Sequence, residues 1–173
     1  MVGVRRRSSH FQTTKISGPA LRDRESPMRT KKYTLTLKSD LADLDKLRSF
    51  MEEIREGLSV SKKCQFQINL ALEEAFSNVL SYGFRKHTGR FMKIAITTAQ
   101  GALNVRVEDD GTPFNPLDAK EPTLQYDIEN CGIGGLGIHL IKKVMDDVRY
   151  ERYRNKNVLT MKKEGCIHEP ANF

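Results

Sequence analysis

The chain has 173 residues, 38% of them hydrophobic and 29% charged, with a formal net charge of +7, a composition that suits one globular domain with a real core plus a tail. No apolar run approaches the ~18–20 residues of a membrane span and no secretory pattern opens the chain, so neither a membrane protein nor a secreted one is expected. Cys64, Cys131 and Cys166 are an odd number, far apart and without a CxxC pair, which argues against a disulfide framework or a zinc site and makes a reducing cytoplasm the expected home.

Residues 1–32 carry nine basic side chains against Asp23 and Glu25, which accounts for the whole net charge, while residues 33–173 hold equal numbers of each sign. The tail has no helical or strand period and is rich in Ser, Thr and Arg, so it is expected to be disordered. Because the basicity belongs to the tail and not to the body, direct nucleic-acid binding is not expected. The body is predicted to span 33–165, followed by a short tail at 166–173.

From Tyr33 the pattern changes. Tyr33, Leu35 and Leu37 alternate with polar residues, as a half-buried strand requires. Ser39 and Asp40 offer an N-cap, and Leu41, Leu44, Leu47, Met51, Ile54 and Leu58 then recur at helical spacing. A second helix is predicted from about Ser61 to about Tyr82, with Ile68, Leu72, Phe76 and Val79 on one stripe and Gly83 as its stop. Two β-rich runs, 91–98 and 103–108, flank Gln100-Gly101 and read as a hairpin.

From Gly111 to Cys131 no period is usable, which for a loop of that length suggests a lid. A short helix follows Gly137, then two strand runs at 147–154 and 157–163. The resulting order, β α α β β, lid, α β β, predicts an α+β fold: a two-layer α/β sandwich, its sheet mixed but mostly antiparallel, with helices on one face.

Three features can carry chemistry. Glu74 and Asn78 lie four residues apart on the second helix and so on the same side of it, about 40° apart, whereas Glu73 points about 100° away. Together they can present a base and a hard-metal ligand to one cleft. The strand ending at Glu108-Asp109-Asp110-Gly111-Thr112-Pro113-Phe114 can offer a carboxylate to the exocyclic amine of a base, with Gly111 allowing close backbone approach. Gly132-Ile133-Gly134-Gly135-Leu136-Gly137 runs straight into a helix, an arrangement whose free N–H groups and dipole favour phosphate. A dinucleotide fingerprint also matches these glycines but lacks both the preceding buried strand and an acid about 20 residues later, where position 157 is Asn.

In this order the three motifs resemble the GHKL, or Bergerat-fold, ATPases, and within them the bacterial anti-sigma-factor serine/threonine kinases. The likeness continues through Met145-Asp146-Asp147-Val148 and Asn157-Val158-Leu159-Thr160. It implies a kinase that binds ATP with Mg2+ and phosphorylates a STAS-type anti-sigma-factor antagonist, often while also binding a sigma factor and commonly as a homodimer. It implies Glu74 as general base, Asn78 as magnesium ligand, Asp109 and Gly111 at the adenine, and Gly132, Gly134, Gly135, Leu136 and Gly137 at the phosphates. Thr112 and Thr160 are expected at the adenine end. Pro113 and Tyr82 depart from the wider pattern, which has glycine at the first and, in many of these kinases, histidine at the second. The same fold also suits a nucleotide-gated binding module that transfers no phosphate.

Overall fold

A computed structural model describes residues 30–38, 40–84, 90–118 and 135–167; most of the predicted basic tail, the latter part of the predicted lid and the first glycines of the loop after it lie outside them. The described elements follow the predicted order. Strand β1 (Lys32–Lys38) leads into helices α1 (Leu44–Leu58) and α2 (Lys62–Asn78), then β2 (Phe91–Ala99) and β3 (Ala102–Asp109). Helix α3 (Gly135–Val144), β4 (Asp147–Tyr153) and β5 (Lys156–Lys163) complete the body.

The five strands form one sheet in the order β1-β2-β3-β5-β4. The mostly antiparallel sheet that was expected is antiparallel at all four pairings. Both hairpins turn through two residues of positive φ, Gln100-Gly101 and Arg154-Asn155, the backbone handedness that matches the twist of paired strands. Because side chains alternate along a strand, Leu37, Met92, Ile94, Ile96, Leu103, Val105, Val107, Leu159 and Met161 all face one side, where they are buried. The helices cover that side. Leu47, Met51, Ile54 and Leu58 of α1 and Ile68, Leu72 and Phe76 of α2 enter the same core, each such side chain contributing about 1.5–3 kcal/mol on burial.

The helix termini show where local chemistry steers the chain. Asp40 accepts the Ala42 N–H at 3.0 Å and opens a short 3₁₀ turn, Leu41–Asp43, ahead of α1, one turn later than the predicted cap. The Asp43 carboxylate reaches back to the Lys38 N–H and forward to Lys46. It thereby ties the end of β1 to α1, and these hydrogen bonds hold it below the usual carboxylate range. Ser61 caps α2 as predicted, accepting the Cys64 N–H at 3.2 Å. Past Asn78 the helix widens into a π-helical turn, Val79–Gly83, a feature that periodicity did not predict.

Cys166 is fully buried, and Ile167 forms a β-bridge with Val60, so the body runs to at least 167. At the other end Lys32 already belongs to β1. Among the described residues no helix is long and apolar enough to cross a membrane.

Candidate functional site

The site forms where the C-terminal half of α2, the end of β3 and the start of α3 meet. The helical repeat places Ala75 and Phe76 against the sheet, which turns Glu74 and Asn78 toward α3. Glu73 goes elsewhere, pairing with Arg48 of α1 at 3.1 Å. Gly137 shows how tightly the two helices approach: a Cβ there would collide with Glu74 Oε2 and lie 3.6 Å from Asn78 Nδ2. The Glu74 carboxylate therefore lies against the first turn of α3, where the helix dipole favours negative charge. Asn78 is buried, and its Nδ2 has no hydrogen-bond partner among the described residues.

An amide's nitrogen and oxygen exchange places by a half-turn of the side chain. The orphaned position on Asn78 is thus open to oxygen ligation of a hard cation, which fits magnesium. A shallow recess of about 160 Å3, lined by Glu74, Ser77, Asn78, Ser81, Tyr82, Leu136 and Gly137, opens over this point. Leu136 stands at its rim, 54% exposed.

Behind the recess is a second, narrower pocket of about 40 Å3, lined among others by Ala75, Asn78, Val107, Asp109, Phe114, Ile138 and Leu159. That volume holds a few waters. Asp109, at its base, is 5% exposed. Its Oδ1 accepts from the Gly111 N–H and from Asn157 Nδ2, both at 2.8 Å. Burial raises its carboxyl above the usual range, although these hydrogen bonds pull the other way.

Gly111 is where glycine is needed. A Cβ would meet the Gly83 carbonyl oxygen at 2.6 Å, a clash with backbone that no side-chain rotation relieves. The same carbonyl accepts the Thr112 N–H at 3.0 Å, so the π-helical turn after α2 locks the Asp-x-Gly turn in place. Tyr82, in that turn, stacks on Phe114 with ring centroids 4.9 Å apart. The stack stands between the pocket, which Phe114 lines, and the recess, which Tyr82 lines.

The predicted residues divide clearly. Glu74, Asn78, Asp109, Gly111 and Gly137 converge, and Gly135 opens α3. The Thr112 side chain is exposed, and its residue contributes through its backbone. Thr160 must be corrected: it alternates with Leu159 and Met161, so it points to the opposite face of the sheet, paired with Arg106 and Arg149. Gly132 and Gly134 lie outside the described residues.

Asn157 takes the place expected of Thr160. It stands opposite Asp109 in the β3–β5 register and donates to Asp109 and to the Thr112 carbonyl at 3.0 Å. Its Oδ1 accepts from Tyr150 Oη and Arg152 Nη1, each at 2.8 Å, and Arg152 also donates to the Gly111 carbonyl at 3.0 Å. With both amide protons and both lone pairs committed, Asn157 holds Asp109 in place. The sequence places Asn157 within the family resemblance but gives it no role of its own, because its pairing with Asp109 depends on sheet register.

The model of the histidine kinase-like ATPase domain matches residues 37–163. The serine/threonine-protein kinase BtrW of Bordetella bronchiseptica is 24% identical over 101 residues, which cover 58% of this chain and 71% of that one. The serine-protein kinase RsbW of Listeria monocytogenes serovar 1/2a is 33% identical over 86 residues, covering 47% of this chain and 55% of the relative. The chain thus spans about half the length of the Listeria protein. Among solved structures, the RsbU and RsbW domains of Rv1364c from Mycobacterium tuberculosis align over 83% of this chain and 34% of that one, with a TM-score of 0.58 and 14% identity; this likeness supports the fold. By the family match, the fold and the ordered motifs, the chain belongs to the histidine kinase-like ATPase domain family, on its anti-sigma-factor kinase branch.

Proposed function

We propose that this chain is an ATP-dependent protein serine/threonine kinase. It phosphorylates a STAS-type anti-sigma-factor antagonist, binds a sigma factor in alternation with it, and works in the cytoplasm as a homodimer. The observation that carries the reading is the convergence of the Glu74 carboxylate and the unpartnered Asn78 amide on Gly137, at the start of α3. The substrate and partner classes rest on the family resemblance.

In this reading Asp109 accepts the exocyclic amine of adenine, and Gly111 leaves room for the ring edge. The start of α3 receives the phosphates. Asn78 Oδ1 holds Mg2+, which supplies neutralising charge across the phosphate oxygens when bound. Glu74 accepts the proton of the incoming serine or threonine hydroxyl as its oxygen bonds to the γ-phosphorus. The bond from that phosphorus to the bridging oxygen breaks, and ADP departs. Such chemistry asks the protein mainly for positioning and charge.

The direct test is transfer of labelled γ-phosphate from Mg-ATP into the proteins of a lysate of the source cell. A single small labelled protein is expected, and its phosphoamino acid should be serine or threonine. Tight ATP binding with no labelled protein would sink the kinase reading in favour of a nucleotide-gated binding module.

Asn78→Ala is expected to weaken ATP affinity by about tenfold or more in the presence of magnesium, ~1.4 kcal/mol. Removing the metal with a chelator should then cost the variant little further. Titration calorimetry with and without Mg2+ measures both effects. A variant that kept the full magnesium dependence would remove Asn78 from the metal site.

The raised carboxyl of Asp109 sets a pH dependence. With Oδ1 taken by Gly111 and Asn157, a proton on the carboxyl would occupy the Oδ2 that accepts the adenine amine, so ATP affinity should fall as pH drops through that raised value, before an ordinary carboxylate would titrate. Binding near that pH should also release protons, seen as a heat that varies with the buffer's ionisation enthalpy. An affinity flat from about pH 7 to about pH 4 would contradict the assignment. For folding, the proton is bound more tightly in the native state, so this group's stabilisation is complete below the unfolded-state value and is lost as pH rises through the native one.

A further inference from the structure

The site described above uses none of the cysteines, yet the fold brings two of them together. Cys64 is the third residue of α2, with its N–H held by Ser61. After β5 the chain folds back across the start of that helix. The Cys166 carbonyl accepts the Ser61 N–H at 3.1 Å, and the N–H groups of Cys166 and Ile167 both donate to the Gly101 carbonyl. The bridge between Val60 and Ile167 completes this seam.

Within it, Cys64 Sγ lies 4.0 Å from the Glu164 carbonyl oxygen and 3.8 Å from that of Gly165, so it faces the turn that carries Cys166. Both are unoxidised and buried. From the geometry of this seam we infer that Cys64 and Cys166 form a reversible disulfide site, which fastens the end of β5 to the start of α2 under oxidising conditions. Spacing alone argued against any disulfide in this chain, because a pair so far apart in the chain meets only in the folded structure.

Access is through the turn before Cys166. Glu164 and Gly165 are exposed, Gly165 has φ +61°, and a Cβ built on it would meet nothing within 4 Å. A small hydroperoxide is the oxidant class that fits. Cys64 Sγ faces the carbonyls of that exposed turn, whereas Cys166 is fully buried, so Cys64 reacts first. Its sulfur attacks a peroxide oxygen; the O–O bond breaks, and a sulfenic acid and one water or alcohol result. Cys166 sulfur then attacks Cys64 sulfur, the S–S bond forms, the S–O bond breaks, and water leaves. Two thiols lose two electrons and two protons, and the peroxide gains them.

The cross-link closes a loop from the start of α2 to just past β5, leaving β1 and α1 outside it, and such closure stabilises chiefly by restricting the unfolded chain. Glu74 lies ten residues further along α2, about 15 Å away, so nucleotide affinity should be unchanged.

The experiment is hydrogen peroxide treatment of the full chain carrying Cys131→Ser, followed by thiol titration, intact mass, non-reducing peptide mapping and a melting curve. Expected are loss of both remaining thiols, loss of two hydrogens, a joined Cys64–Cys166 peptide, and a Tm higher by about 10 °C that dithiothreitol reverses. Cys64→Ala and Cys166→Ala, tested separately, should each abolish the oxidant-induced rise. Mapping of the wild-type chain gives the same answer should any variant fail to fold. Thiols that survive peroxide in the folded protein, a sulfinic acid without the joined peptide, or a disulfide only between molecules would each overturn the inference.

Discussion

Glu74→Gln is expected to bind Mg-ATP within a few fold of the wild-type affinity and to transfer phosphate roughly 10²–10⁴ times more slowly, the usual contribution of a positioned general base. Glutamine keeps the length and polarity of the side chain but cannot take a proton. Glu74 is only partly buried, at the edge of the recess and not in the core, so the fold should tolerate the change. Single-turnover transfer to the purified substrate, beside calorimetry, separates the two effects. Glu73→Gln is the internal control: that carboxylate is held by Arg48 on the far side of the helix, and its loss should leave transfer near wild type. Equal rates for Glu74→Gln and the wild-type protein would refute the assignment of the base.

Gly137→Ala should give the second large effect by a different route. The added methyl would collide with Glu74 Oε2 and sit 3.2 Å from its Cδ. What it meets is the end of a flexible side chain, not backbone, so the fold survives by letting Glu74 swing aside. Catalysis does not, because a misplacement of about 1 Å in a reacting group can cost on the order of 10²-fold. The expected result is a melting temperature within a few degrees of wild type and transfer reduced by roughly that factor. The double variant Glu74→Gln, Gly137→Ala should be scarcely slower than Glu74→Gln alone, since both changes disable one group. Fully multiplicative losses would show that Gly137 acts elsewhere, at the phosphates and not through Glu74.

Tyr82 and Phe114 give the departure from the family pattern a physical setting. Where many related kinases have histidine, this chain places an aromatic ring on Phe114, at the border between the pocket and the recess. The π-helical turn makes this arrangement: with one extra residue per turn, the chain after Asn78 brings Gly83 onto Gly111 and Tyr82 onto Phe114.

Most of the architecture was legible in the sequence because it rests on short-range periodicity. Alternation at Tyr33–Leu37 and the 3.6-residue stripe of α2 follow from where apolar side chains must go, and the Ser61 cap and the Gln100-Gly101 turn follow from local backbone chemistry. Glu74, Asn78, Asp109 and Gly111 were legible for the same reason: their motifs sit at the ends of regular elements, at fixed spacing. What the sequence by itself determined, then, is which elements form and which short motifs they carry.

Only the tertiary structure decided which of those motifs meet, and with what. That Thr160 faces away and Asn157 faces Asp109 depends on strand register, in which a one-residue difference exchanges the two faces of the sheet. The π-helical turn is held by contacts with Gly111 and Phe114, and the pairing of Cys64 with Cys166 by the return of the chain across α2. Each of these is a contact between residues far apart in the chain, set by packing, and no local pattern of residues encodes it.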